Sequence, residues 1–289
     1  MKHIPAFLLF LLFGYQAGGQ SVNYTLQQIN ETRQLYDKTV TTTTDTTLYR
    51  LTVPDTIVNG PMILRLSMLS FTSRVTSRLN GNQIFEMYYT SQKKIKNERL
   101  QMAYDNLDAT RGALRNKEVT IIFDPAQDTI YALNADSIVK ALPGVPIGLL
   151  ESVRTYFSND YFTGFFHSFL FTNFQEHRES NAQWTQVKEV VSALQPRYAD
   201  RSYTTRSVSK DSICVAVTGP SFYRDPPDQY NIHGPKYCSG TEDGMIVYRT
   251  SSLIPWRMDM HYVIIFQTNT YSSYVETWIS DSRIRFIQE

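Results

Sequence analysis

The segment DYFTGFFHSFLFTNF, from Asp160 to Phe174, constrains the fold most, because only the N-terminus is more apolar. Phe162, Phe166 and Phe169 are spaced for one face of a helix. Phe171 lies off this face, so the helix would be apolar on more than one side. We therefore predict a buried core helix. The alternative is a helix that lines an apolar pocket, with a wall made of Phe162, Phe165, Phe166, Phe169 and Phe174.

Such a pocket would hold an acyl chain or another apolar ligand. A membrane span is not predicted here, because a spanning helix needs about 20 apolar residues in a row. The segment is shorter, and His167, Ser168, Thr172 and Asn173 interrupt it.

The N-terminus has the pattern of a secretory signal peptide. Lys2 and His3 precede the apolar run AFLLFLLF, and Ala17-Gly18-Gly19 places small residues before a cut at Gln20. No cysteine follows the apolar run, so a lipoprotein anchor is excluded. We predict that residues 1–19 are a signal peptide and that the mature chain is periplasmic or extracellular, with no transmembrane segment.

The two cysteines agree with export. In an oxidising compartment Cys214 and Cys238 can form one disulfide, and they enclose a proline-rich loop, Gly219 to Tyr237. The bond would close a loop of about 24 residues and contribute on the order of 3 kcal/mol. The alternative is two free thiols.

The segments that follow the signal peptide carry few core residues. Ser21 to Lys38 has apolar residues at helical spacing, which favours a short surface helix. Thr39 to Thr47, TVTTTTDTT, is typical of an extended linker or an edge strand, because β-branched side chains favour extension. We place an N-terminal segment and linker at residues 20–47, and one folded domain at residues 48–289.

The first strong strand pattern is Pro61 to Asn80. Its apolar positions are even up to Met68 and odd from Leu69 onward, which indicates a β-bulge. Asn80-Gly81 then predicts a tight hairpin turn.

The remaining pattern is a second hairpin, a helical middle and more strands. Glu118 to Phe123 and Thr129 to Leu133 form the hairpin, and Asn134 to Leu142 and Ile147 to Tyr156 are helical candidates. After Arg197 the pattern is again that of strands. This order predicts the α+β class, with a bent, half-barrel-like antiparallel sheet and the middle helices packed on its concave face.

The composition gives no catalytic or nucleic-acid signal. The formal charge is +1, so a nucleic-acid partner is not expected. The motifs HExxH, GxSxG, CxxC, the P-loop and the EF-hand loop do not occur, and we predict no catalytic residue, metal or cofactor. Glu176, His177 and Glu179 are typical of a helix end, where His suits the helix dipole, and a metal or acid–base role is the alternative. A second group indicates a solvated loop, with a cation site as the alternative: Asp225, Asp228, His233, Glu242 and Asp243.

Two stretches resemble uncharacterised exported proteins of Bacteroidetes-type bacteria. These are EVTIIFDPAQDTIYALNADSIVKAL, from Glu118 to Leu142, and GMIVYRTSSLIPWRMDMHYVIIF, from Gly244 to Phe266. The overall order is also similar to periplasmic lipoprotein-carrier folds. That resemblance implies a half-barrel sheet that wraps helices around an apolar cavity. It covers about half of the chain, carries no site residues over, and departs at Pro125 to Asp128, where the turn lacks a glycine.

These observations lead to one functional hypothesis with two alternatives. The first is an exported, non-enzymatic protein that binds a hydrophobic ligand, such as a lipid, in the cell envelope. The second is an interaction module for another envelope protein. The third is a hydrolase whose site is assembled from scattered residues.

Overall fold

The structure is a computed structural model. It describes residues 21–54, 61–124, 127, 129–143, 145, 147–170, 174–191, 196–219, 237–250, 254–270 and 274–289. The predicted signal peptide lies outside these residues, so the prediction of export stays untested.

Twelve strands form one antiparallel sheet in the described part of the chain. Their bounds are β1 Ser21–Tyr36, β2 Thr39–Pro54, β3 Met62–Leu79, β4 Asn82–Thr90, β5 Glu118–Asp124, β6 Thr129–Ala132, β7 Gln183–Val191, β8 Pro196–Val208, β9 Ser212–Thr218, β10 Tyr237–Arg249, β11 Pro255–Thr270 and β12 Tyr274–Gln288. The order across the sheet is β6-β5-β3-β2-β1-β12-β11-β10-β9-β8-β7, and β4 pairs with the remaining part of β3. The first and last strands are therefore neighbours in the middle of the sheet.

The helices are short and lie between β4 and β5 and between β6 and β7. Helix α1, Gln101–Leu107, continues into a π-helical turn, Asp108–Gly112. Helices α2 Ala135–Lys140, α3 Ile147–Arg154 and α4 Asn159–Leu170 precede a 3₁₀ turn, Phe174–Glu176. Helix α4 contacts both outermost strands, β6 and β7. One sheet can meet the same helix at both edges only if it curves around that helix.

The predicted α+β class is wrong, because the protein is mostly β. The sheet takes up most of the described residues, whereas the longest helix has 12 residues. The helical middle is real but small. The α+β prediction also counted too few strands, since it left β1 and β2 outside the sheet.

Strand β1 corrects the predicted surface helix at Ser21 to Lys38. Tyr24 and Leu26 are buried at alternate positions, which is the period of a strand, and β1 pairs with both β2 and β12. The threonine-rich strand β2 pairs with β1 and β3 along its length, so it is neither a linker nor an edge strand. Its threonines fit an extended backbone, as expected, and Thr41 Oγ1 lies 3.0 Å from Ser77 Oγ on β3.

The predicted bulge and turn are confirmed. In β3 the buried positions change from Leu66 and Met68 to Phe71, and the register with β2 shifts at the same point. Asn80 and Gly81 have φ values of 51° and 84°. Two successive positive values define the type I′ turn that favours a two-residue hairpin.

The predicted disulfide is not formed. Cys214 is a free, half-buried thiol, and it pairs with Val247 on β10. Cys238 lies nine residues before Val247, near the start of β10. That separation is about 30 Å at roughly 3.4 Å per residue, whereas a disulfide requires Cα atoms within about 7 Å. The side chain of Cys238 lies outside the described residues.

Candidate functional site

The core occupies the concave face of the sheet around α4. The Phe162 ring of this helix is 1% exposed and makes an edge contact with Tyr49 of β2 at 6.2 Å between ring centroids. Phe174 stacks on Tyr248 of β10 at 3.8 Å. The Tyr161 hydroxyl donates a hydrogen bond to Gln28 of β1 at 3.1 Å. Helix α4 and the 3₁₀ turn that follows it therefore join the two halves of the sheet to one interior.

A row of polar side chains crosses this inner face. Residues that pair directly across antiparallel strands point to the same face. The register joins Tyr89 to Ser73, Ser73 to Asp45, Asp45 to Asn30, Asn30 to Ser282, Ser282 to Tyr262, Tyr262 to Glu242, and Arg201 to Gln186. Between Glu242 and Arg201, the Gly219 amide donates to the Glu242 carbonyl at 2.7 Å. We call these nine side chains the polar row: Tyr89, Ser73, Asp45, Asn30, Ser282, Tyr262, Glu242, Arg201 and Gln186.

The polar row marks one boundary of the apolar core. On the five central strands β2, β1, β12, β11 and β10, the inner face four residues away is apolar, with Tyr49, Leu26, Phe286, Met258 and Ile246 all buried. The row therefore marks the edge of the apolar core on these five strands.

Several oxygens of the row are buried without a hydrogen-bond partner in the described part of the chain. They are Asp45 Oδ1, Gln186 Oε1 and the Tyr262 hydroxyl. Buried polar atoms are nearly always paired. At each of these three oxygens an additional hydrogen-bond donor would therefore be stabilised.

At one end of the row lies a cavity of about 240 Å³ between β2, β3 and the covering helices. Its wall combines apolar side chains with Asp45, Arg111 and four neutral polar groups. The lining residues are Asp45, Phe71, Ser73, Asn106, Leu107, Thr110, Arg111, Leu149, Ser152 and Tyr156. The cavity thus has an apolar side and a charged side.

Arg111 is held between two aromatic rings. Its guanidinium carbon lies 3.0 Å from the centroid of the Tyr156 ring and 4.4 Å from that of Phe71. The π-helical turn that carries Arg111 is anchored to the row, because the Tyr89 hydroxyl donates to Asp108 Oδ1 at 2.8 Å. Such turns often occur at functional sites. Stacking holds the guanidinium in place, and its N–H groups point outward in the guanidinium plane, where they can donate hydrogen bonds.

Asp45 is the acidic partner in the cavity. Burial raises the pKa of its carboxyl above the ordinary value of 3.8, although the hydrogen bond from Ser73 and the charge of Arg111 act in the opposite direction. The carboxyl is therefore desolvated and only partly compensated. A ligand group that donates a hydrogen bond would complete its coordination.

The other end of the row holds a buried ion pair between Arg201 and Glu242, whose side chains are 2% and 0% exposed. Burial alone would lower the pKa of Arg201, but attraction to Tyr262 and Glu242 raises it on balance. Burial raises the pKa of Tyr203 and of Tyr262 to about 12, so both phenols are neutral at physiological pH. The two side chains are thus closed off from solvent and form the most deeply buried charges of the row.

The predicted pocket wall is part of the core. Phe162, Phe165, Phe166 and Phe174 are buried, and the cavity is lined by other residues. The side chain of Phe169 lies outside the described residues. A role of these phenylalanines in lining a second pocket stays a prediction.

The two acidic clusters do not form a metal site among the described residues. His177 stacks on Trp184 at 4.5 Å. Glu242 forms an ion pair with Arg201, and Asp243 Oδ1 lies 3.3 Å from His261 Nδ1. The predicted positions at Asp225, Asp228 and His233 fall outside the described residues.

Sequence reasoning missed the residues that define the cavity. Asp45 carried a usable signal, because it is the one charged residue in the run from Thr39 to Thr47. A lone carboxylate in a β-branched strand needs a partner if the strand is covered. Arg111 carried no comparable signal, since only the tertiary contacts place it beside Phe71 and Tyr156.

The described residues contain no helix long and apolar enough to cross a membrane. No family model and no curated protein matches the chain. The resemblance to exported Bacteroidetes-type proteins, and the alternatives of an interaction module and a hydrolase, stay predictions.

Two solved structures are similar in outline. One is lipovitellin, from a study of its lipid–protein interactions, with 13% identity and a TM-score of 0.49. The match covers 94% of this chain and 25% of that chain. The other is the translocator domain of the autotransporter NalP from Neisseria meningitidis, with 7% identity, a TM-score of 0.26, and coverage of 96% and 93%. Neither TM-score reaches 0.5, so neither similarity establishes a shared fold or function.

Proposed function

We propose that this chain is an exported, non-enzymatic binding protein that holds a small amphipathic ligand in the cavity. The observation that carries the proposal is the buried Asp45 carboxyl, which lines an apolar cavity beside Arg111 and has one oxygen without a partner. The ligand's apolar part would contact Phe71, Leu107 and Leu149. Its polar part would lie between the carboxyl and the guanidinium.

The energetics favour an occupant with both a donor and an acceptor. A buried oxygen without a hydrogen bond costs roughly 1–3 kcal/mol. A ligand hydroxyl would donate to Asp45, and a ligand ester or carbonyl oxygen would accept from Arg111. Hydrogen bonds to charged groups are stronger than those between neutral groups.

The size of the cavity limits the class of ligand. Sites for drug-sized ligands enclose roughly 300–1,000 Å³. The cavity, at about 240 Å³, is slightly smaller. It therefore fits the polar end and the first part of one chain, rather than a complete two-chain lipid.

The experiment is native mass spectrometry of the mature protein after gentle purification, with solvent extraction of any adduct. Binding of 1-monodecanoylglycerol is then titrated, because this probe carries hydroxyl donors, an ester acceptor and one chain. We expect Arg111→Gln to weaken binding by about 10- to 150-fold, the equivalent of one hydrogen bond to a charged group. Ser152→Trp, which fills the cavity from the exposed side of α3, should abolish it.

Arg50→Gln is the matched control. Arg50 is exposed on the same strand as Asp45 and points to the opposite face of the sheet. Its replacement should leave binding unchanged. A wild-type protein that carries no adduct and does not bind the probe would refute the proposal, as would an Arg50→Gln variant that loses binding as much as Arg111→Gln does.

A further inference from the structure

Two hairpin turns lie side by side at one end of the sheet. The β1–β2 hairpin turns at Asp37 and Lys38, and the β3–β4 hairpin turns at Asn80 and Gly81. The Asn80 amide donates to the Lys38 carbonyl at 3.1 Å, which joins the two turns. They therefore form one projecting end.

This end exposes large apolar side chains. We call the set the tip surface, and it wraps around the end of the sheet, with Leu35 and Val40 on the outer face, Leu79 and Phe85 on the inner face, and Ile84 between the paired positions. Ile84 is the most exposed of them, at 61%, because the register of β3 and β4 shifts around it and leaves it outside the regular pairing. Apolar residues concentrated at one end of a protein indicate a contact surface.

The charges at the same end are basic. Arg33 and Arg74 are paired with Glu31 and Glu86, at 2.6 and 2.7 Å. Lys38 and Arg78 are exposed, and neither has an ion pair within the described part of the chain. The tip surface therefore combines exposed apolar side chains with Lys38 and Arg78, and the exposed carboxylate of Asp37 leaves a net charge of +1 there.

This combination favours a lipid surface over a protein partner. Lysine, the type of Lys38, is depleted in protein–protein interfaces, whereas arginine is enriched there. Apolar side chains beside Lys and Arg are the pattern of interfacial membrane binding, in which the apolar groups enter the headgroup boundary and the cations attract anionic lipids. We infer that the tip surface docks this protein onto a bilayer that contains anionic lipids.

The inner face connects the tip surface to the cavity. From Ser73, which lines the cavity, the inward positions lead through Val75 and Met87 to Phe85 and then Leu79. The six residues from Ser73 to Leu79 span about 20 Å. A ligand that leaves the bilayer would thus follow a path to the cavity in which Val75 and Met87 lie beside the polar side chains of Ser77, Thr41 and Thr43. This path depends on the proposed ligand, whereas the docking itself does not.

The experiment is sedimentation of the mature protein with vesicles of phosphatidylcholine, with and without phosphatidylglycerol, at low and high salt. We expect partitioning into the anionic vesicles that weakens in high salt. Lys38→Gln and Arg78→Gln should each reduce it about fivefold. The double change Ile84→Ser and Phe85→Ser should reduce it by more than about tenfold.

The control variant is Tyr131→Ser, which removes an exposed apolar ring from β6, far from the hairpin turns. It should partition like the wild type. Equal partitioning into both kinds of vesicle, or equal loss in Tyr131→Ser, would overturn the inference. So would self-association through Ile84 and Phe85 without vesicle binding, because the tip surface would then be an interface between copies.

The cavity variant Ser152→Trp separates the two proposals. It should lose the monodecanoylglycerol probe and keep vesicle binding. Loss of the probe alone tests the cavity, and loss of vesicle binding in the tip variants alone tests the docking surface.

Discussion

Phe162→Ala tests whether the phenylalanine-rich helix is core or pocket wall. The ring is 1% exposed and lies against Tyr49, Phe157 and Tyr161 at centroid distances of 6.2, 5.0 and 5.2 Å. Truncation would remove the buried ring and leave a space that these three fixed rings cannot fill. The expected loss in free energy of unfolding is about 3–5 kcal/mol. Phe162→Leu, which keeps most of the volume, should lose only about 1.5 kcal/mol.

The assay is equilibrium unfolding in urea, with the slope compared between variants so that a shift in midpoint reports stability. Phe85→Ala is the matched control, because that ring is 38% exposed at the hairpin end and should change stability by no more than about 0.5 kcal/mol. A loss below about 1 kcal/mol for Phe162→Ala would refute the core interpretation. The ring would then line a space that is already open or filled by a ligand.

Three further predictions concern single sites. Asp45→Asn should stabilise the protein at neutral pH, because the raised pKa of Asp45 means that ionisation costs stability above that pKa. The gain should shrink as the pH falls toward 3.8, and a less stable variant at neutral pH would contradict it. Thiol titration of the unfolded, unreduced protein should detect two free thiols, those of Cys214 and Cys238. A count of zero would show that the disulfide forms. Gly81→Ala should destabilise the hairpin by roughly 1 kcal/mol in thermal unfolding, through its φ of 84° alone, since no atom lies within 4 Å of the added Cβ.

Local patterns in the sequence predicted the parts of the fold that depend on neighbouring residues. The change of phase after Met68 fixed the bulge in β3, and Asn80-Gly81 fixed the turn. The hairpin of β5 and β6 followed from two short β-branched runs around a polar turn. In each case the physical cause lies within about ten residues of the feature.

The errors arose where distant segments decide the structure. The spacing of Leu26, Ile29 and Arg33 in β1 fits one helical face, but pairing with β12 at the other end of the chain makes the segment a strand. The ion pair of Arg201 and Glu242 joins residues that are 41 positions apart, and no local sequence pattern predicts it. The candidate site was missed for the same reason, because its cavity forms only when the π-helical turn and α3 cover Asp45.

The pairing of β1 with β12 has a consequence for how the chain folds. Residues 21–132 and 183–288 each supply one half of the sheet, and the two halves meet at the seam from Tyr24 to Leu35. Each half can form from near neighbours in sequence, whereas the seam closes a loop of almost the whole chain. Such distant contacts form slowly. Until β12 has been synthesised, β1 therefore presents an unpaired edge, and such edges favour aggregation.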